Sequence, residues 1–260
     1  MIGAILGDII GSKYEWNPIK TKKFKMFTKD KTFTDDTVLT CAIADAILSV
    51  NKFSEKEYKE AFIKSIIKLC WKYRDAGYGG NFNIWLYSRD HEPYNSYGNG
   101  SAMRVSPVGW MFQTLEDTKR VARWSAEITH NHPEGIKGAE AVASVIFLAR
   151  NGKTKEEIKE FIEENFYKLD FTCDEIREKY TFNESCQGTV PQAIEAFLEG
   201  KNFEDVIRTA ISLGGDSDTL TCIAGSMAEA MYKIPRRFKS WLPFYLEDDL
   251  LEIVKNFTNR

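Results

Sequence analysis

The residues best suited to chemistry are four aspartates in two short clusters, Thr34-Asp35-Asp36-Thr37 and Gly215-Asp216-Ser217-Asp218-Thr219. Each cluster stands directly before a run of small and apolar residues, 37–44 in one case and 219–226 in the other. Asp, Ser and Thr are good helix N-caps and negative charge is favourable there, so capping accounts for one carboxylate in each cluster. It does not account for two. Helices that are apolar nearly all round are central ones, so the four carboxylates are expected to converge where water is scarce. Buried carboxylates without partners are costly and normally become paired or protonated. The nearest cations in sequence, Lys31 and Arg208, lie on the flanks and are too few. Two divalent cations would balance the charge, with the Thr hydroxyls and water completing oxygen-rich shells of the kind Mg2+ or Mn2+ prefers. No Cys or His adjoins either cluster, which argues against zinc. A dinuclear metal centre is the reading adopted here, and capping is its competitor.

The elements that must hold these residues are helices. Between residues 55 and 73, Tyr58, Phe62, Ile63, Ile66, Leu69, Cys70 and Tyr73 recur at three- and four-residue intervals between lysines and glutamates. Segments 37–50, 117–128, 134–149, 155–165, 190–198, 204–213 and 219–232 behave alike, and Gly200 and Pro235 supply stop signals. Alternating strand patterns bounded by turns are hard to find. The expectation is an all-α helical bundle in a single domain spanning residues 1–260. Polar stretches near 51–60, 151–165 and 199–206 read as solvated faces rather than linkers.

Composition sets the outer limits. The chain has 260 residues, 43% of them apolar and 28% charged, with a formal net charge of −3. That length suffices for a sizeable core, and the absence of a basic excess leaves no evident nucleic-acid surface. No apolar stretch approaches the twenty or so residues that span a membrane, and the apolar opening is interrupted by Asp8 and lacks a basic leader. Five cysteines form no CxxC pair and no zinc spacing with the three histidines. An odd count without a leader fits a reducing cytoplasm. His130 and His132, two apart, do not share a helical face, and a satisfied structural role is expected for each.

Four segments taken together resemble the ADP-ribosylglycohydrolase family: the opening stretch from Gly3 to Glu15, Thr34 to Thr37, Gly98-Asn99-Gly100-Ser101 continuing to Arg104, and Gly214 to Thr219. The resemblance implies an orthogonal all-α bundle with two magnesium or manganese ions in a central cleft. It implies that Thr34, Asp35 and Asp36 ligate from one side and Asp216, Asp218 and Thr219 from the other. Glu15 would match a glutamate on a mobile loop that takes part in metal binding and catalysis, and the lysine-rich segment 16–33 would suit a gate. Gly98, Asn99, Gly100 and Ser101 become the candidate diphosphate cradle. Glycines let backbone N–H groups approach phosphate, and a helix starting near Ser101 would add its positive end. Outside that pattern, Gly-Asn-Gly is an ordinary turn. The resemblance also places His130 near the substrate ribose, gives Asp8 a buried hydrogen-bonding role, and makes 182–192 an adenosine-side loop. Arg104 is open between electrostatic assistance and a structural salt bridge.

The expected function is hydrolytic release of ADP-ribose from an ADP-ribosylated acceptor, either a protein side chain or a small molecule such as O-acetyl-ADP-ribose. A carboxylate among Glu15, Asp35 and Asp36 would handle the proton as oxocarbenium character develops at the distal ribose. One competing reading is a metal-dependent phosphohydrolase, whose aspartate pair would have to follow a buried strand. The other is a non-catalytic ADP-ribose-binding module.

Overall fold

A computed structural model describes residues 1–259. The chain runs through α1 (Ile2–Gly11), a 3-10 turn (Ser12–Tyr14), α2 (Asp35–Ser49), α3 (Glu55–Lys72), α4 (Gly80–Tyr87), α5 (Gly100–Met103), α6 (Ser106–Met111), α7 (Leu115–Glu127) and α8 (Pro133–Arg150). It continues through α9 (Lys155–Asn165), α10 (Cys173–Ile176), α11 (Cys186–Glu199), α12 (Phe203–Leu213), α13 (Ser217–Met231), α14 (Arg236–Lys239), α15 (Leu242–Tyr245) and α16 (Asp248–Thr258). Among the described residues the only β pairing is one antiparallel bridge between Gly98 and Ser185. The fold is all-α, as the periodicity implies.

The centre of the bundle is the pair α1 and α13. Every residue of α1 is buried, as is α13 from Ser217 to Ala228. Their backbones touch along a glycine stripe. A Cβ on Gly3, Gly7 or Gly11 would come within 2.1, 2.2 and 2.4 Å of the carbonyl oxygens of Gly225, Thr221 and Ser217. Spacing of four residues puts all three glycines on one face of α1. Around this pair lie α2, α5, α8, α11 and α12. The amphipathic α3, α7 and α16 cover the outside, burying one stripe each.

Two segments differ from expectation. Segment 190–198 is the second half of a longer helix, α11, in which Pro191 sits in the interior. A proline reads as a helix start because its fixed φ suits the first turn. Here it is preceded by a turn capped by Ser185, whose side chain accepts from Gly188 N. The helix expected from Ser101 is the single turn α5, too short to add a useful dipole.

Candidate active site

The site assembles where α1, α2 and α13 meet. In the middle of α1, Asp8 is fully buried and accepts four hydrogen bonds, from Thr34 N (3.0 Å), Thr34 Oγ1 (2.8 Å), Thr37 N (3.1 Å) and Thr37 Oγ1 (2.5 Å). It thereby fixes the first turn of α2, the turn that carries Asp35 and Asp36. Thr34 is the N-cap of that helix, its side chain accepting from Asp36 N. Asp35 N donates to Ala76 O at 2.8 Å. Gly214 and Gly215, at φ of 71° and 73°, turn the chain from α12 into α13. A Cβ on Gly215 would sit 2.7 Å from the Tyr180 ring, so both conformation and space select glycine there.

Capping does not explain the acids. Asp216 occupies the N-cap position of α13 without making a cap hydrogen bond. Oxygens of Glu15, Asp216 and Asp218 lie within 4.8 Å of one another. Thr219 Oγ1 donates to Asp36 Oδ2 at 3.1 Å, joining the two clusters, while Asp36 Oδ1 is buried with no partner. Among the described residues, no lysine or arginine pairs with Asp8, Glu15, Asp35, Asp36, Asp216 or Asp218. Lys31 Nζ instead donates to Ile10 O at 2.5 Å and lies over the Tyr14 ring, and Arg208 pairs with Glu204.

This concentration of negative charge holds protons in the metal-free cluster. Burial first, and the Asp218 charge second, push Asp8 and Glu15 up to about 7 and carry Asp35, Asp36 and Asp216 well above the ordinary carboxylate range. Uncompensated carboxylates, an orphaned buried oxygen and all-oxygen donors fit hard divalent cations.

The acids line a cleft of about 380 Å3, within the usual range for small-molecule sites. The same cleft is lined by Ser96, Gly98, Gly100 and His130, by residues 76, 77 and 79–82, and by Phe182 and Glu184. The structure brings Glu15, Thr34, Asp35, Asp216, Asp218, Thr219, Gly98, Asn99, Gly100 and His130 to this one cleft. Asp36 stands just behind it, tied to Thr219. Ser101 lies apart: it is fully buried and its hydroxyl donates to Gly135 O at 2.7 Å. The Asn99 amide serves the acids rather than a free cradle, donating to Asp216 Oδ2 at 2.7 Å and to Thr189 Oγ1 at 3.1 Å.

Arg104 forms no salt bridge. Its Nη2 donates to Ser125 O and Thr129 Oγ1 at 2.7 and 2.8 Å. His132 caps α8, Nδ1 accepting from Glu134 N. Of the expected adenosine-side loop, residues 186 onward are helix, which leaves Phe182 and Glu184 to face the cleft.

Segment 16–33 is tied to the rest of the chain at several points. Lys20 Nζ donates to Tyr180 O and Leu213 O, Arg208 Nη1 to Lys22 O and Phe24 O, and Tyr245 OH to Thr28 O. Residues 16–18 precede these ties and are exposed, with the Trp16 ring stacked on Phe182 at 5.5 Å beside the cleft that both residues line. The sequence reading did not find Trp16, which has no periodic signal. Nor did it find Asn99 as a partner of Asp216, a contact spanning 117 residues.

An all-helical bundle with an acid-lined cleft is a framework shared with known proteins, and comparison makes its class specific. The sequence profile of the ADP-ribosylglycohydrolase family matches residues 1–260. The chain is 26% identical to human (Homo sapiens) ADP-ribosylhydrolase ARH3 over 330 residues, covering 96% of this chain and 90% of that protein. It is 24% identical to ADP-ribosylarginine hydrolase Tri1 of Pseudomonas putida (strain GB-1), covering 93% and 72%. A solved ADP-ribosylglycohydrolase-related protein complex superposes with a TM-score of 0.68 at 25% identity, covering 91% of this chain and 89% of that one. The chain belongs to the ADP-ribosylglycohydrolase family and is an ADP-ribosyl hydrolase.

Proposed function

We propose that this chain uses two divalent cations, Mg2+ or Mn2+, to hydrolyse the bond between the distal ribose of ADP-ribose and an acceptor on a protein side chain or small molecule. The observation that carries the reading is the cleft itself, lined both by carboxylates that no lysine or arginine among the described residues pairs with and by a glycine-flanked turn. Thr34, Asp35, Asp36, Asp216, Asp218 and Thr219 would hold the ions, with Asp8 and Asn99 orienting the two groups from behind. The ions would balance this charge, engage ribose hydroxyls and acidify a water.

Each protein group has work of its own. Gly98 and Gly100 leave backbone close to the diphosphate. Glu15, half-buried in the cleft among the acids, would take a proton from water and return it to the departing acceptor. Asp35 and Asp36 are the other candidates for that proton, and ion binding competes for their oxygens. The aspartate-pair phosphohydrolase reading needs a preceding strand, whereas α12 is a helix. Five free buried cysteines suit a reducing cytoplasm, and no described helix is long and apolar enough to cross a membrane. One continuous core supports a single domain over 1–260.

The test is release of free ADP-ribose from arginine-, serine- and acetyl-linked substrates, with added Mg2+ or Mn2+ and with chelator, in wild type and Asp216→Asn. Release is expected from at least one linkage, suppressed by chelator and by the substitution. Tight ADP-ribose binding without release from any linkage would favour the binding module, and free phosphate as the product would overturn the assigned bond.

A further inference from the structure

Beside the glycine turn, the cleft contains a hydrogen-bond chain that fixes which nitrogen of His130 carries the proton. His130 lies just beyond α7, its backbone N donating to Ala126 O at 2.7 Å. Its Nε2 faces the glycine turn: a Cβ on Gly100 or Gly98 would lie 3.1 or 3.4 Å from it. Its Nδ1 lies 2.7 Å from Thr129 Oγ1. That same hydroxyl oxygen receives Arg104 Nη2 at 2.8 Å.

Arginine can only donate, so it takes a lone pair of the hydroxyl. The hydroxyl has one hydrogen, and Thr129 is fully buried. Were Nδ1 to carry a proton, the oxygen would face two donors and its own hydrogen would be left unmatched, which is unfavourable for a buried group. The arrangement that satisfies all three groups runs from the Arg104 N–H to Thr129 oxygen and from the Thr129 hydroxyl to Nδ1. Nε2–H is then the donor presented to the cleft.

Arg104 suits this position because no acid pairs with it among the described residues. It is fully buried, Ser125 O fixes the same nitrogen, and its Nε and Nη1 have no hydrogen-bond partner among those residues. Burial first, and this guanidinium second, hold the imidazole well below its usual range and so neutral.

We infer that Arg104 and Thr129 are positioning residues that preset His130 as a neutral Nε2–H donor to an oxygen of the ADP-ribose seated at Gly98–Gly100. The identity of that ligand rests on the proposed function; the tautomer does not. A backbone carbonyl in place of Thr129 Oγ1 would select the opposite tautomer, which makes the hydroxyl the deciding group.

The test is NMR of the full-length chain with 15N-labelled histidine, the His130 signals being assigned by their loss in His130→Asn. In the ligand-free protein, Nδ1 is expected to be unprotonated and Nε2 protonated. Thr129→Val removes the hydroxyl and is expected to lose this single-tautomer signature and to weaken ADP-ribose binding about tenfold, equivalent to about 1.4 kcal/mol. Thr129→Ser restores both. Protonated Nδ1 in the wild type overturns the inference, even if the valine variant fails to fold. A folded Thr129→Val with unchanged tautomer and affinity overturns it equally. If the wild type shows the expected tautomer but releases no ADP-ribose from any linkage, the functional reading fails and the relay stands.

Discussion

Glu15 differs from the aspartates in where it sits and therefore in what its removal should do. It follows the 3-10 turn at the end of α1, is half-buried beside the exposed Trp16, and shares the acid cluster through Asp218. The four aspartates start helices, and Asp8, Thr219 and Asn99 hold them from behind. Substituting Glu15→Gln keeps size and loses charge, so the aspartates should still bind metal and the glycine turn should still bind ADP-ribose. Turnover is expected to fall by roughly a hundredfold while ADP-ribose affinity measured by calorimetry changes much less, as for loss of a group that moves a proton in the transition state. Wild-type turnover in that variant would return the role to Asp35 or Asp36. The acids themselves were legible in the sequence because two carboxylates before an apolar helix exceed what capping requires. Gly98 to Ser101 read as a backbone cradle because local sequence shows only a glycine-rich turn. The side-chain partners of Ser101 and Asn99, Gly135 and Asp216, are 34 and 117 residues away and leave no local signal.

At the scale of elements, most helices were legible because each buries a stripe that recurs with helical spacing, as α9 does from Lys155 to Asn165. The helix that matters most to the site, α1, was not named as one. It is buried on every side, so it shows no amphipathic contrast, and its signal is instead the glycine stripe of Gly3, Gly7 and Gly11. The outer helix α16 carries a readable stripe of Leu250, Ile253, Val254 and Phe257 that falls outside the segments named from sequence. The stripe on α1 gives an element-level prediction. In Gly7→Ala the new Cβ would lie 2.2 Å from Thr221 O, and neither backbone has a flexible side chain to move. Forcing α1 from α13 separates Asp8 from Asp216 and Asp218, so both stability and metal affinity should drop. Overpacking costs about 1–3 kcal/mol, or roughly 3–10 °C in Tm for a chain of this size. Gly80→Ala, with nothing within 4 Å of the new atom, is the matched control and should melt like wild type. Equal melting of the two variants would show that α1 and α13 are not in backbone contact.

For the whole molecule, the acid cluster links folding, protons and metal. Without metal, Asp8 and Glu15 are pushed up to about 7, by burial first and by Asp218 next, and Asp35, Asp36 and Asp216 move the same way. The same carboxyls titrate near 4 in the unfolded chain. Over the window from about pH 4 to 7 and somewhat above, the folded protein therefore binds more protons than the unfolded one. Stability from these groups is complete below the unfolded value and is lost as pH rises through the folded value. His130, held neutral when folded, acts oppositely, its contribution being lost as pH falls below about 6.5. Lys31, whose ammonium burial pushes down to about 7, also acts oppositely, its contribution growing as pH rises above that value. Between about pH 6.5 and about pH 8 the five acids outweigh this one group, and the protein in chelator should melt lower at the higher pH. Divalent cations need the deprotonated carboxylates, so they act most strongly where the metal-free protein is weakest. At a hundredfold excess over Kd, mass action adds about 2.7 kcal/mol, or roughly 5–10 °C in Tm. Adding Mg2+ or Mn2+ should accordingly raise Tm by that amount at about pH 8 and by less at about pH 6.5, shrinking or reversing the difference between them. Asp216→Asn should lower the metal response and soften the pH dependence in chelator, since one interacting charge is gone. Melting curves indifferent to chelator, metal and pH would mean that the carboxylates do not act as one cluster, and the metal-dependent reading of the cleft would fall with them.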